Sequence, residues 1–159
     1  MTPNLINSWQ HADDDDTAYG QIEVEGNAVA TVIALSSSDF SNKVQLTIFD
    51  TDGASKNMTP ANASDDITVL KPGAYLVHAV LSLTGTAANV ISAAIFRNNG
   101  AKQISPRTTK KIETTDVDCH IVLTAIFVLG LDTIEVWVQN ETGGANITVT
   151  DAVLTAIKI

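Results

Sequence analysis

The chain has one cysteine, few aromatic residues and half as many basic as acidic residues, and each scarcity excludes a class of protein. Cys119 has no second cysteine to pair with, which rules out an internal disulfide and a cysteine-rich zinc site. Aromatic residues make up only 5% of the chain, so a core must be built from Val, Ile, Leu and Ala. The formal net charge of −9 repels polyphosphate, so we expect no nucleic-acid partner.

Long apolar runs are also missing. No window is apolar enough to cross a bilayer, so we expect no membrane association. The first five residues lack the basic start and apolar run of a signal peptide. The 159 residues fit a single domain, large enough to bury about 70% of its unfolded surface without disulfides.

The first 19 residues differ in composition from the rest. We predict an N-terminal arm over residues 1–19 and one domain over residues 20–159. Four adjacent aspartates favour an extended, solvated backbone, whereas a tryptophan beside other apolar residues is costly to leave in water. The arm is therefore expected either to dock on a partner or to be a frayed terminus. Its candidate contact residues are Ile6, Trp9, Asp13, Asp14, Asp15 and Asp16.

The remaining chain reads as about eight β-strands separated by turn signals, with no convincing helix. Residues 22–35 are predicted as one long strand, kinked at Gly26 and Asn27. Pro72 and Gly73 suit the centre of a tight turn. Asn98-Asn99-Gly100 favours a hairpin, because Asn and Gly tolerate positive φ. This all-β pattern predicts an antiparallel sandwich or barrel.

Three predicted strands, near residues 73–83, 89–97 and 119–129, are apolar on both faces. A sandwich of two sheets covers only one face of each sheet, so the other faces need a partner surface. A symmetric copy of the same chain is the simplest source, which predicts a homo-oligomer. We expect Tyr75 to lie in the sandwich. The predicted subunit interface comprises Leu76, His78, Val80, Ile126, Val128 and Trp137.

No catalytic or metal-binding set emerges from the pattern. The histidines, His11, His78 and His120, have no acidic residues at metal-ligand spacing, and adjacent strand residues such as Cys119 and His120 point to opposite faces. Asp50-Thr51-Asp52-Gly53 is similar to the start of a calcium loop but lacks its distal Glu. We expect no enzyme activity, no metal and no cofactor.

Three segments resemble the jelly rolls of tumour-necrosis-factor-like proteins and complement globular heads. Residues 71–77 resemble that family's Pro-Gly-x-Tyr-x-Phe strand, and residues 94–100 its next strand and Asn-Gly hairpin. Residues 129–137 resemble its Leu-x-x-Gly-Asp-x-Val-x-Val segment, with Leu131 inserted between Gly and Asp. The resemblance covers residues 24–159 and implies an antiparallel jelly-roll β-sandwich that trimerises around a three-fold axis.

Chains of this kind with a short arm, loops rich in Ala, Thr and Asn, and an acidic balance look like bacteriophage virion proteins. The resemblance implies a homotrimeric decoration, or cement, protein that binds the major capsid protein on the capsid surface. A receptor-binding fibre head is the alternative, and an extracellular signalling ligand is a weaker one. The absence of a heptad shaft and the scarcity of aromatic residues favour decoration. A basic group is expected to contact a coat subunit or a neighbouring arm: Arg97, Lys102, Arg107, Lys110 and Lys111.

Overall fold

The computed structural model describes residues 16–32, 39–113, 119–143 and 145–159. Within these ranges the chain forms twelve β-strands and no helix, so no helix there could span a membrane. The strands are β1 Tyr19–Val24, β2 Val44–Gln45, β3 Thr51–Asp52, β4 Met58–Ala61, β5 Asp66–Val69, β6 Gly73–Thr84, β7 Val90–Arg97, β8 Lys102–Gln103, β9 Thr108–Lys111, β10 Cys119–Leu129, β11 Thr133–Asn140 and β12 Thr148–Lys158. The expectation of about eight strands was too low, because strands of two to four residues show too little alternation to be recognised.

The strands form two antiparallel sheets. One has five strands in the order β10-β6-β12-β1-β3. The other has seven, in the order β4-β5-β11-β7-β8, with β2 also paired to β11 and β9 to β7. Because β5 and β6 belong to different sheets, Lys71 and Pro72 carry the chain from one sheet to the other. Gly73 is nearly extended, with φ of 159°, so the predicted tight turn is wrong.

The core lies between the sheets and follows the alternation of the long strands. All five inward-facing residues of β6 are fully buried: Tyr75, Val77, Ala79, Leu81 and Leu83. This confirms the face predicted for the sandwich interior. The Tyr75 hydroxyl donates to the Lys71 carbonyl oxygen at 2.7 Å, which gives the buried phenol a partner.

The chain itself covers both faces of β7. Ile91, Ala93 and Ile95 enter the core between the sheets, whereas Phe96 packs on the opposite face. There Phe96 lies between two aromatic rings, with centroid distances of 6.0 Å to Phe40 and 5.9 Å to Trp137. The expectation that every strand with two apolar faces needs a partner surface is therefore wrong for β7.

The long strand predicted over residues 22–35 ends early. Strand β1 stops at Val24, and Gly26 takes a positive φ of 70°. The Asn27 side-chain amide then donates to the Val149 carbonyl oxygen at 2.7 Å and its backbone N–H to the Thr150 carbonyl oxygen at 2.8 Å, and only an isolated bridge between Thr31 and Ile147 continues the pairing. Val29 is 71% exposed, so its apolar character does not mark a strand. Residues 33–38, the end of that prediction, lie outside the described residues.

The Asn98-Asn99-Gly100 hairpin is confirmed, with positive φ at all three residues. It is anchored by Glu135, whose fully buried carboxylate accepts the Asn99 and Gly100 backbone N–H groups at 3.0 and 3.2 Å. A Cβ on Gly100 would lie 2.6 Å from the Trp137 ring, so the turn also requires glycine for space. Nothing in the sequence pattern singled out Glu135.

Asp132 holds the same end of the sandwich. Its carboxylate accepts hydrogen bonds from the Arg97 guanidinium at 3.0 Å, the Asn98 amide at 2.7 Å and the Gly130 N–H at 2.8 Å. Burial acts to raise the pKa of Asp132, but these hydrogen bonds and the Arg97 charge outweigh it and lower that pKa below 3.8.

Candidate interaction surface

The outer face of the five-stranded sheet is apolar and exposed. Strand pairing aligns its residues in rows: Leu76 lies between Ile126 and Ile157, and Val80 lies between Val122 and Val153. We call this surface the outer face, defined by Leu76, His78, Val80, Val122, Thr124, Ile126, Val128, Val153, Thr155 and Ile157.

Exposure on the outer face is highest along β10, the edge strand. Ile126 is 69% exposed, Val128 70% and Val122 52%. An antiparallel sheet normally presents polar residues on a face that meets water. Because contiguous exposed apolar surface marks interaction sites, the outer face is the candidate interface of the described molecule.

A polar row divides the two apolar rows. His78 lies level with Thr124 and Thr155, and its Nδ1 is 3.0 Å from the Thr124 hydroxyl oxygen. A hydrogen bond here can go in either direction, depending on the imidazole tautomer. The outer face therefore combines apolar area with a central hydrogen-bonding position.

Five of the six residues predicted for the subunit interface share the outer face: Leu76, His78, Val80, Ile126 and Val128. Trp137 lies in the seven-stranded sheet, beside Phe96 and under Lys43, whose Nζ is 5.4 Å from the ring centroid. It does not adjoin the other five. Val122 and Ile157 were missed, although Val122 follows the same alternation as Ile126 and Val128.

A groove of about 740 Å³ crosses one end of the outer face. Four carboxylates line it, those of Glu23, Glu25, Asp50 and Asp151, together with His120 and no Lys or Arg. The Gly26 N–H donates to Asp151 Oδ1 at 3.0 Å, and this hydrogen bond lowers the pKa of Asp151. We call this feature the acidic groove.

The Asp50–Asp52 segment uses its oxygens for local structure. The Asn62 backbone N–H donates to Asp52 Oδ1, and its side-chain amide donates to the Asp50 carbonyl oxygen, both at 2.6 Å. In the described ranges, no three His, Cys, Asp or Glu side chains are arranged to hold a metal ion.

Most of the predicted arm lies outside the described residues, which begin at Asp16. The positions concerned are Ile6, Trp9, Asp13, Asp14 and Asp15, together with His11. Asp16 forms an ion pair with the Lys158 ammonium at the end of β12. Ala18, also within the predicted arm, is fully buried in the core. The Cys119 side chain is likewise outside the described part of the structure.

The predicted basic group is divided between two places. Arg97 and Lys102 lie beside the hairpin, with their charged groups 5.4 and 5.2 Å from the Phe127 ring centroid. Arg107 pairs with Glu141 at 3.2 Å. Lys110 and Lys111 are exposed at the end of β9. Strand β9, which carries this last pair, is linked to β10 by the hydrogen bond from the Thr108 hydroxyl to the Val122 carbonyl oxygen.

Comparison with known proteins identifies the fold. No family model and no curated protein matches the chain. Murine APRIL at pH 5.0 aligns with a TM-score of 0.60 and 13% identity, over 90% of this chain and 99% of that one. Eiger TNF from S. frugiperda aligns with a TM-score of 0.55 and 14% identity, over 89% of this chain and 93% of that one. The fold is thus a tumour-necrosis-factor-like jelly roll, which confirms the predicted fold class and the resemblance to tumour-necrosis-factor-like jelly rolls.

Proposed function

We propose that the protein is a structural module that forms a homotrimer through its outer face. The observation that carries this proposal is the exposed apolar area along β10, β6 and β12. Covering Ile126, Val128 and Val122 with protein would remove apolar surface from water, at about 25 cal/mol per Å².

The position of the exposed residues favours a ring over a two-fold dimer. Strand β10 is the terminal strand of its sheet and carries the most exposed apolar residues of the outer face. Packing this edge onto the outer face of the next copy joins two different surfaces, and such heterologous contacts form a ring when the rotation between copies closes. A three-membered ring agrees with what the family resemblance implies.

The trimer's proposed role is to decorate and stabilise a bacteriophage capsid, by binding the major capsid protein on the virion surface without catalysis. The composition supports this role: a net charge of −9, and an arm in which Ile6 and Trp9 precede four aspartates. In this arrangement the outer face joins the copies, which leaves the arm to reach the coat.

Copy number and attachment test the decoration role together. Quantitative mass spectrometry of purified virions should find hundreds of copies, and an Ile6→Ser/Trp9→Ser double variant should remain trimeric but fail to attach. Leu131→Ser, a turn residue that is 75% exposed, is the matched control and should attach normally. A handful of copies located at the tail would contradict decoration and support a receptor-binding fibre head.

A further inference from the structure

Two oppositely charged features lie at the same end of the sandwich. The acidic groove includes Glu23. Strand pairing aligns Glu23 with Val153, Val80 and Val122 across the five-stranded sheet. The Thr108 hydroxyl, at the start of β9, donates to the Val122 carbonyl oxygen at 3.3 Å. The first residue of the basic strand β9 therefore lies at the level of Glu23.

Strand β9 runs from that level toward the end that holds the groove. Ile112, just after β9, accepts a hydrogen bond from the Ala88 N–H at 2.8 Å, and Ala88 lies in the loop that follows β6. At this same end Ser82 of β6 pairs with Asp151, a groove residue. Lys110 and Lys111 thus reach the level of the groove carboxylates.

The groove carboxylates and strand β9 are on opposite sides of the outer face, although the groove lining extends to His120 on β10. Strand β9 adjoins the β10 edge, whereas Glu23 lies on β1, three strands away, or about 14 Å at the usual spacing between strands. Because this distance separates them within one chain, a lysine of β9 meets the groove carboxylates most simply in a contact between two copies.

We infer that Lys110 of one copy docks against the acidic groove of the next copy. This inference rests on the proposed self-association. A ring whose axis runs along the strands keeps the same ends of all copies together, and it lays the β10 edge of one copy on the outer face of its neighbour. Lys110 lies on the same face of β9 as Thr108, whose hydroxyl bonds to β10, so Lys110 then faces the neighbour's carboxylates. Lys111 lies on the opposite face, with Thr109, which bonds to Ser92 of β7.

The charges on each side are suited to this contact. The acidic groove holds four carboxylates and no Lys or Arg, so it carries a strong negative potential. Lys110 is exposed at the end of β9, so its ammonium group is accessible to a carboxylate of another copy. Such pairs at the rim of an apolar interface fix which surfaces meet and make association sensitive to salt.

Charge reversal at one lysine tests the contact. At about 0.05 M salt, Lys110→Glu should raise the dissociation constant of the trimer about tenfold in sedimentation experiments, and the effect should shrink near 0.5 M salt. Lys102→Glu is the matched control, because it makes the same charge change on β8, at the opposite end of β7. Its dissociation constant should stay within about twofold of wild type.

A charge swap within one chain separates this contact from a general effect of charge. Combining Lys110→Glu with Glu23→Lys should restore association close to that of wild type. If Lys110→Glu associates as wild type does, or the swap gives no rescue, the inference is wrong while the trimer stands. A monomeric wild-type protein would instead contradict the proposed self-association itself.

Discussion

Replacing Ile126 with Asp should dissociate the proposed trimer and leave the fold intact. Ile126 is 69% exposed on the outer face, so it contributes little to the core of a single chain. Full burial of such a side chain is worth about 1.5–3 kcal/mol, so covering the exposed part contributes about 1–2 kcal/mol per copy. Three equivalent copies lose about 3–6 kcal/mol, which is a factor of about 10² to 10⁴ in the dissociation constant. Burying the new carboxylate adds a further cost, so these values are lower bounds.

Size-exclusion chromatography with light scattering measures this effect. At micromolar concentration the wild-type protein should have the mass of three 16.8-kDa chains, and Ile126→Asp that of one. Circular dichroism should be unchanged, because the replaced side chain points away from the sandwich interior. Leu131→Asp is the control: Leu131 is 75% exposed but lies on the turn after β10, so this variant should remain trimeric. A trimeric Ile126→Asp variant, or equal dissociation of both variants, would refute the assignment of the interface.

Three further predictions concern the hairpin end of the sandwich, each read from urea unfolding. Glu135→Ala should lower the free energy of unfolding by about 2–4 kcal/mol, because two backbone N–H groups lose their acceptor. Glu135→Gln keeps an acceptor and should lower it less. Equal losses for the two variants would show that these hydrogen bonds are not responsible. Gly100→Ala should lower the free energy of unfolding by about 1–3 kcal/mol, because φ is +72° and the new methyl group meets the Trp137 ring. An unchanged urea midpoint would contradict the close contact. Since the pKa of Asp132 is lowered by folding, its charged form stabilises the protein above pH 3.8, and this contribution disappears as the pH falls through the lower folded-state pKa. Asp132→Asn should therefore destabilise the protein at neutral pH, and a deficit that persists unchanged below that pKa would argue against the ionic role.

The long strands could be predicted from alternation alone. In β6, residues from Tyr75 to Leu83 alternate between full burial and partial exposure, as the period of two requires. The outer face could also be recognised, because Leu76 and Ile126 occupy positions where an antiparallel sheet normally carries polar residues. The sequence could not say which strand with two apolar faces is covered by the chain itself.

That distinction depends on contacts between distant residues. Phe40 and Phe96 are far apart in sequence, yet their rings pack 6.0 Å apart and cover the second face of β7. Glu135 was missed for the same reason, since its partners come from a turn about 35 residues earlier in the chain. The acidic groove likewise combines residues of β1, β6, β10 and β12 that only the strand register brings together.

Native mass spectrometry of the wild-type protein tests most directly the claim that the outer face is a subunit interface. The account predicts one dominant species with the mass of three 16.8-kDa chains, converted to single chains by Ile126→Asp. A wild-type protein that remains at 16.8 kDa up to high micromolar concentration would contradict it.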